Sequence, residues 1–303
     1  MILVAGLTPT WQQIYSFDRF CAGEVNRATQ VARCASGKVL NVGIALNQLG
    51  AESRVLSMVG RSDREAMDRE FEAMKVSVRW SETVAPTRTC TSILDRQSGT
   101  ISELVENAGA VTEEELAEFR AAFVEEAGAA NFVVLTGSLP AGATASFHRD
   151  LLEDVHCDVL LDTRGEELLL ALEHRPLVVK PNREELAATF GASLAGEEDL
   201  HGAMAELNRR GAQWVVVSEG GRAVWVRGGG QLYRLDPPQL ARVVNPIGCG
   251  DVLAAGIATA LVRGDDPLDA VRFGIAAAAE SALDLLPARF DASRIAAAVR
   301  HTN

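Results

Sequence analysis

Between stretches of helical periodicity, short runs of mostly apolar, β-branched residues recur at 2–5, 55–59, 132–135, 159–161, 177–179 and 214–217. A strand buried on both faces reads as such a run rather than as an alternation, so the pattern predicts parallel strands joined by helical crossovers. A helix is predicted over 39–49 behind a Gly-Lys pair. Two more, over 63–74 and 112–126, open with an Asp or Thr cap and early acids that suit the positive end of a helix. Thr112 and Glu115 have capping-box spacing. The small-residue segment 252–262 is a further predicted helix, and the fold class expected is α/β.

Two regions break the alternation. Residues 24–35, and 88–95 followed by 100–106, alternate polar with apolar positions and have no helix between the last pair, as an antiparallel ribbon would. They are expected to form a small β lid on the main domain, drawn from about 10–35 and 86–107. A hairpin is predicted between 223–226 and 231–235, turning at Arg227-Gly228-Gly229-Gly230. No repeat, low-complexity tract or long linker divides the 303 residues, a length that one large α/β domain fills, so 1–303 is read as a single domain with its lid.

Composition narrows the function. With 48% hydrophobic and 23% charged residues the chain has the make-up of a globular enzyme, and no segment offers the roughly 18 uncharged apolar residues of a membrane span. A net charge of -12 works against nucleic acid as a partner, because backbone binding needs clustered Lys and Arg, yet it permits a local anion site built from a few cations and N–H groups. Cys21, Cys34, Cys90, Cys157 and Cys249 make an odd number without CxxC spacing, which argues against a disulfide framework or zinc site and for a reducing cytosol. The opening strand has no basic or cleavable leader before it, so a cytoplasmic location is expected. His148, His156, His174, His201 and His301 fall in no motif and are expected to be surface or packing residues.

The most informative stretch is Asn245-Pro246-Ile247-Gly248-Cys249-Gly250-Asp251, which leads into the predicted helix over 252–262. Gly248 and Gly250 remove the Cβ atoms that would keep a phosphate from the backbone N–H groups, and the helix presents its positive end to the anion. A carboxylate at Asp251 is placed to accept the proton of an attacking hydroxyl while those N–H groups stabilise charge on the moving group. The same four residues also read as a plain turn with Asp251 as N-cap. Upstream, Gly37, Lys38 and Asn41 supply a tight turn, a cation and an amide at a second helix start; neither Val39 nor Leu40 supplies the Ser or Thr of the GxxxxGK[ST] loop.

Together the two ends resemble the ribokinase-like (PfkB) carbohydrate kinases, closest to the branch that contains fructose-1-phosphate kinase and tagatose-6-phosphate kinase. The resemblance also rests, in order, on Thr8-Pro9, Gly23-Glu24-Val25-Asn26-Arg27, Pro86-Thr87-Arg88-Thr89, Thr136-Gly137-Ser138-Leu139-Pro140-Ala141-Gly142, Val179-Lys180-Pro181-Asn182-Arg183-Glu184-Glu185-Leu186 and Val217-Ser218-Glu219-Gly220-Gly221. It implies a three-layer α/β/α domain with a mostly parallel sheet and a β lid. It implies transfer of the γ-phosphoryl group of ATP to a hydroxyl of a phosphorylated ketohexose, with Asp251 as base and Gly248, Cys249 and Gly250 as the anion hole. By the same likeness Gly37, Lys38, Asn41 and Ser138 hold substrate, and the Arg88 fork meets the phosphate the substrate already carries. Asn182 and Glu185 match the element that organises Mg²⁺ and its waters, with Glu185 as the metal residue. Lys180, Ser218, Gly220 and Asn245 border the nucleotide. A homodimer through the lid is expected, because an antiparallel ribbon with an apolar face needs covering.

Three positions depart from the family pattern. Gln12 stands where the branch usually has an Asp that accepts from substrate hydroxyls, and an amide both donates and accepts. Val39 replaces a Gly, which stiffens the turn. Cys249 stands where Ala or Ser is common, and a thiol at a helix N-terminus is expected to be unusually ionised. These departures keep two rivals in view, a kinase for an unphosphorylated sugar or nucleoside and a catalytically weakened ATP- and sugar-binding regulator.

Overall fold

The computed structural model describes residues 1–295; His301 lies outside them. In chain order the elements are β1 (Ile2–Gly6), β2 (Thr10–Phe17), β3 (Gln30–Ser36), α1 (Lys38–Gln48), β4 (Ser53–Gly60), α2 (Arg64–Met74), β5 (Val78–Thr83), β6 (Thr89–Asp95), β7 (Ile101–Val105), α3 (Glu113–Gly128) and β8 (Phe132–Thr136). There follow α4 (Phe147–Leu152), β9 (Asp158–Asp162), α5 (Gly165–Ala171), β10 (Val178–Val179), α6 (Arg183–Phe190), α7 (Glu197–Arg210), β11 (Trp214–Ser218), β12 (Val224–Gly228), β13 (Gln231–Leu235), α8 (Cys249–Val262) and α9 (Pro267–Ser281).

The apolar runs pair as one nine-stranded sheet in the order β13-β12-β11-β10-β9-β8-β1-β4-β5. Its pairings are parallel except where β12 and β13 return antiparallel at one edge, because only the short turn at Gly229 joins them and no crossover helix intervenes. Period-two alternation divides the burial between two faces. Ile2 and Val4 join a core under α1, α8 and α9, whereas Leu3 and Ala5 join a second core under α3 to α7. Three layers result. At Gly256 and Gly274 a Cβ would lie 2.5 to 3.2 Å from the backbone of the facing helix, so α8 and α9 pack as closely as backbones can.

The second sheet, β3-β2-β6-β7, stands apart from the first. Residues 24–29, expected to begin a strand, form the loop that precedes β3, and the sheet is mixed, because β2 and β6 run parallel. β2 is a strand that no apolar run announces: Thr10, Gln12, Ile14 and Ser16 share one buried face, and three of the four are polar. The capping box at Thr112 and Glu115 forms on α3. Asp63 precedes α2 but makes no side-chain cap; its carboxylate accepts from Trp11 Nε1 at 2.8 Å and from the Thr87 N–H at 3.1 Å, and so ties β2 and the segment leading into β6 to the main body. His148 is fully buried with neither ring nitrogen bonded, and burial pushes it down to about 4, so it packs as a neutral ring.

Candidate active site

The lid closes over the C-terminal ends of the main strands, where an open α/β sheet leaves a crevice. The cleft between them encloses about 540 Å³, and its walls include Gln12, Gly37, Lys38, Asn41, Arg88, Lys180, Asn182, Glu185, Ser218, Gly248, Gly250 and Asp251. The carboxylate from near the end of the chain and the lysine from near its beginning therefore share one cavity.

Asp251 is not the cap of its helix. That position belongs to Gly248, whose φ of 82° is left-handed and whose Cβ would lie 3.2 Å from Asn41 Nδ2. The Asp251 carboxylate is buried in the first turn of α8 and accepts from Asn41 Nδ2 at 2.7 Å, while Asn41 Oδ1 accepts from Ser36 Oγ at 2.9 Å. Burial and then the Asp162 carboxylate push Asp251 up to about 7, against Lys38, Asn41 and Lys180. A carboxyl that exchanges its proton near neutrality suits a general base.

Around the helix start the N–H groups divide. Cys249 N–H donates to the Pro246 carbonyl at 3.2 Å, and Asp251 N–H to the Gly248 carbonyl at 3.0 Å. Among the described residues the Gly248 and Gly250 N–H groups have no acceptor and are left for an anion, whereas Cys249 leaves the predicted anion hole. Its thiol is also the reverse of the expectation, since burial and the neighbouring Asp251 push it up to about 12. The helix dipole loses to desolvation here, and the thiol is protonated.

Asp162 is the residue the sequence reading missed. Fully buried at the end of β9, it accepts from Lys38 Nζ at 2.9 Å and lies 3.3 Å from Lys180 Nζ. Burial alone would raise its carboxyl, but Lys180 and Lys38 prevail and hold it below the ordinary range. Lys38 also meets Glu185 Oε1 at 2.8 Å; burial alone would lower its ammonium, but Asp162, Glu185 and Asp251 hold it well above its ordinary value. Asn182 and Glu185 form a capping box on α6: the Asn182 side chain accepts from the Glu185 N–H at 2.7 Å, and Glu185 Oε2 from the Asn182 N–H at 2.9 Å. Glu185 thus caps a helix with one oxygen and faces the cleft with the other. The signal for Asp162 was an acid directly after an apolar run, at the strand end where such sheets carry their chemistry.

The lid wall is of another kind. Gln12 is buried and donates from Nε2 to Ser92 Oγ at 2.6 Å, and Glu103, paired opposite Ser92, lines the cleft beside it. Arg88 reaches the cleft wall, yet it donates to the Thr8 carbonyl at 3.2 Å and the Glu106 carbonyl at 3.1 Å. Ser138 is not on that wall; its carbonyl accepts from the Thr8 hydroxyl at 3.1 Å. Asn245 braces the loop before α8, donating to the Leu285 carbonyl and accepting from the Ile247 N–H. An adjoining cavity of about 420 Å³ shares Asn182, Ser218 and Gly250 with the cleft and continues past Gly220 to Val224, Leu240, Leu253 and Ile275. It is a largely apolar slot that opens onto Gly250 at the start of α8.

A family model described as pfkB family carbohydrate kinase matches residues 2–287. Tagatose-6-phosphate kinase of Staphylococcus epidermidis is 27% identical over 269 residues, which cover 87% of this chain and 86% of that protein. A possible 1-phosphofructokinase from Thermotoga maritima has a structure similar to this one, with a TM-score of 0.91 at 21% identity over 100% of this chain and 98% of that one. For phosphofructokinase-2 from Escherichia coli in complex with potassium the TM-score is 0.88 at 22% identity, over 99% and 98% of the two chains. At these identities the structural likeness is one of fold, and the fold is ribokinase-like.

Proposed function

The chain belongs to the pfkB family of carbohydrate kinases, and from that premise we propose that it transfers the γ-phosphoryl group of ATP to a hydroxyl of a phosphorylated ketohexose, of the fructose-1-phosphate or tagatose-6-phosphate type. The observation that carries the reading is Asp251, a buried carboxylate pushed up to about 7, fixed by Asn41 and set beside the two spare N–H groups of Gly248 and Gly250. In the reaction Asp251 takes the proton of the acceptor hydroxyl; the oxygen forms its bond to the γ-phosphorus, and the bond from that phosphorus to the ADP oxygen breaks. The Gly248 and Gly250 N–H groups and the positive end of α8 stabilise the charge on the moving group. The apolar slot past Gly220 suits a nucleotide base, and Lys180 lies toward Gly250, where the phosphates would pass.

The donors present also fit Mg²⁺. Among the described residues no group of three or more His, Cys, Asp or Glu side chains could hold a metal ion, so an all-protein cage is not built. A hard cation that keeps its waters and takes few protein ligands needs less, and Asp162 Oδ2, which lies 3.3 Å from Lys180 Nζ and makes no hydrogen bond among the described residues, and Glu185 are the acceptors that would hold it through those waters. Bound with ATP, the ion supplies charge neutralisation at the phosphates.

A second reading has its own observation. Arg88 is engaged by two backbone carbonyls, and the same lid wall carries the Glu103 carboxylate, so the wall offers less to a substrate phosphate than the sequence promised. An unphosphorylated sugar or nucleoside fits such a wall. Release of ADP with ATP, Mg²⁺ and a panel of sugars, sugar phosphates and nucleosides decides between the two. Asp251→Asn tests the chemistry: turnover falls by about three orders of magnitude or more while nucleotide binding persists, because the base is lost and little ground-state binding goes with it. Near-normal turnover in that variant refutes the assignment. The chain is further proposed to pair through the lid, whose face away from the cleft exposes Val31 and Leu104 at 57% and 59%.

A further inference from the structure

Ser36 ends β3 at the turn into α1, and neither the substrate contacts nor the proton transfer assigned to the cleft involve it. It is 1% exposed, and its hydroxyl donates to Asn41 Oδ1 at 2.9 Å. Asn41, 2% exposed, donates in turn to Asp251 Oδ2 at 2.7 Å, and Asp251 Oδ1 carries no hydrogen bond among the described residues. The three side chains come from three elements, the end of β3 and the first turns of α1 and α8.

Each of those ends is fixed independently. Ser36 is paired with Thr10 across the lid. Gly37 follows at a φ of 99°, where a Cβ would lie 3.1 to 3.2 Å from the Thr8 carbonyl and the Thr10 nitrogen. The Asn41 N–H donates to the Gly37 carbonyl at 2.9 Å. A carboxamide beside a carboxylate has one favourable orientation, with its NH₂ toward the acceptor, and this leaves the amide oxygen in need of a donor. A buried amide oxygen without one favours rotations that break the bond to the carboxylate. Ser36 is the donor that removes that tendency.

We propose that Ser36 is a positioning residue for phosphoryl transfer, which through Asn41 holds the Asp251 carboxylate with Oδ2 tied and Oδ1 turned to receive the substrate proton. The proposal rests on the reading of Asp251 as base. Asp251 is also faced by Asp162 from the end of β9, Lys38 from α1, Lys180 after β10 and the Cys249 thiol. Substitution at Ser36 leaves all four in place.

The test measures kcat against pH for Ser36→Ala, Ser36→Thr and Asp251→Asn, with ATP, Mg²⁺ and fructose 1-phosphate or tagatose 6-phosphate, alongside thermal unfolding of each. Ser36→Ala is expected to lower kcat roughly tenfold through misplacement of the base, with KM for ATP unchanged. The acidic limb of its profile moves to higher pH, because a weakened donor to the carboxylate no longer favours the charged form. Thr keeps the hydroxyl and suits a strand end, so Ser36→Thr restores both rate and limb. A wild-type limb in Ser36→Ala, or equal impairment of the Ala and Thr variants, overturns the proposal even where Asp251→Asn is inactive. Retained turnover in Asp251→Asn overturns the base assignment and this proposal with it.

Discussion

In the floor of the cleft Asp162 lies wholly out of water between Lys38 and Lys180, and Lys38 reaches on to Glu185. On the lid above, Gln12 meets Ser92 through a neutral hydrogen bond, Glu103 is exposed, and Arg88 donates from Nη1 and Nη2 to backbone carbonyls. The floor holds its charges in pairs that split two carboxyls, Asp162 low and Asp251 near neutrality, the division that the proposed reaction needs of one standing anion and one base. Among the described residues, the lid's Arg88 and Glu103 enter no ion pair, and Arg88 and Gln12 bond to uncharged acceptors. On the proposed reaction, the chemistry falls to the floor with its buried ion pairs, and the lid wall is left to meet the acceptor.

The sharpest way to break that contrast is to remove the buried anion. Asp162→Asn leaves Lys180 without its counter-charge and Lys38 with Glu185 as its remaining partner, and breaking a buried pair in this way costs about 3–5 kcal/mol. Chemical denaturation should show that loss, and turnover should fall by about two orders of magnitude because Lys38 and Lys180 no longer keep their places. Glu103→Gln on the lid should change stability by no more than about 0.5 kcal/mol. Equal effects from the two substitutions would mean that the floor is no more preorganised than the lid.

The pH dependence follows from the same split. As the proposed base, Asp251 would act only when ionised, so kcat should drop as the pH falls through about 7, the value to which burial and then Asp162 push it. For stability the sign is opposite. With a folded value above the ordinary carboxylate range, the native state holds a proton that the unfolded chain has released, so this group's contribution weakens as pH rises from about 4 to about 7. Asp251→Asn should therefore leave the melting temperature at pH 8 unchanged or higher while it abolishes turnover. A drop of several degrees would show that the carboxylate stabilises the fold, against its place among the buried charges.

How much of this was legible follows the same division. The floor's backbone could be read directly: apolar runs gave the main strands, and the glycines, Lys38, Asn41 and Asp251 announced themselves by spacing. Asp162 could not be read, because an acid after an apolar run looks like any strand end until the parallel order sets it beside two lysines from distant segments. The Cys249 thiol misleads for a related reason, since a helix end suggests a lowered value while the packing around it and Asp251 act the other way. On the lid, β2 went unannounced because polar residues fill its buried face, and Asp63 looked like a cap although its partners, Trp11 and Thr87, lie in other segments. β5 is a half-polar edge strand, and α9 had its Asp266 cap and Pro267 at the first turn in plain view.

Arg88 tests whether the lid recognises a phosphate. If its fork turns from the Thr8 and Glu106 carbonyls to the substrate, Arg88→Ala should raise KM for phosphorylated acceptors by about two orders of magnitude and barely affect unphosphorylated ones. Equal losses for both would limit Arg88 to its bonds with the Thr8 and Glu106 carbonyls and would favour the unphosphorylated-sugar reading.

The smallest effect expected on chemistry, and the cleanest separation of the two regions, lies on the outer face of the lid. Register places Val31 with Tyr15, and Leu104 with Thr91, on the face opposite Gln12 and Ser92, and both are exposed there, on the two edge strands of the lid. Leu104→Asp would set a charge in that surface and should weaken self-association by about tenfold or more, since charges are depleted from the cores of such interfaces. Sedimentation at micromolar concentration should find the unaltered chain paired and the variant monomeric, with kcat changed less than about threefold because the floor is untouched. A wild-type monomer would remove the lid interface, and a monomeric variant without turnover would show that the floor depends on the pairing of the lids.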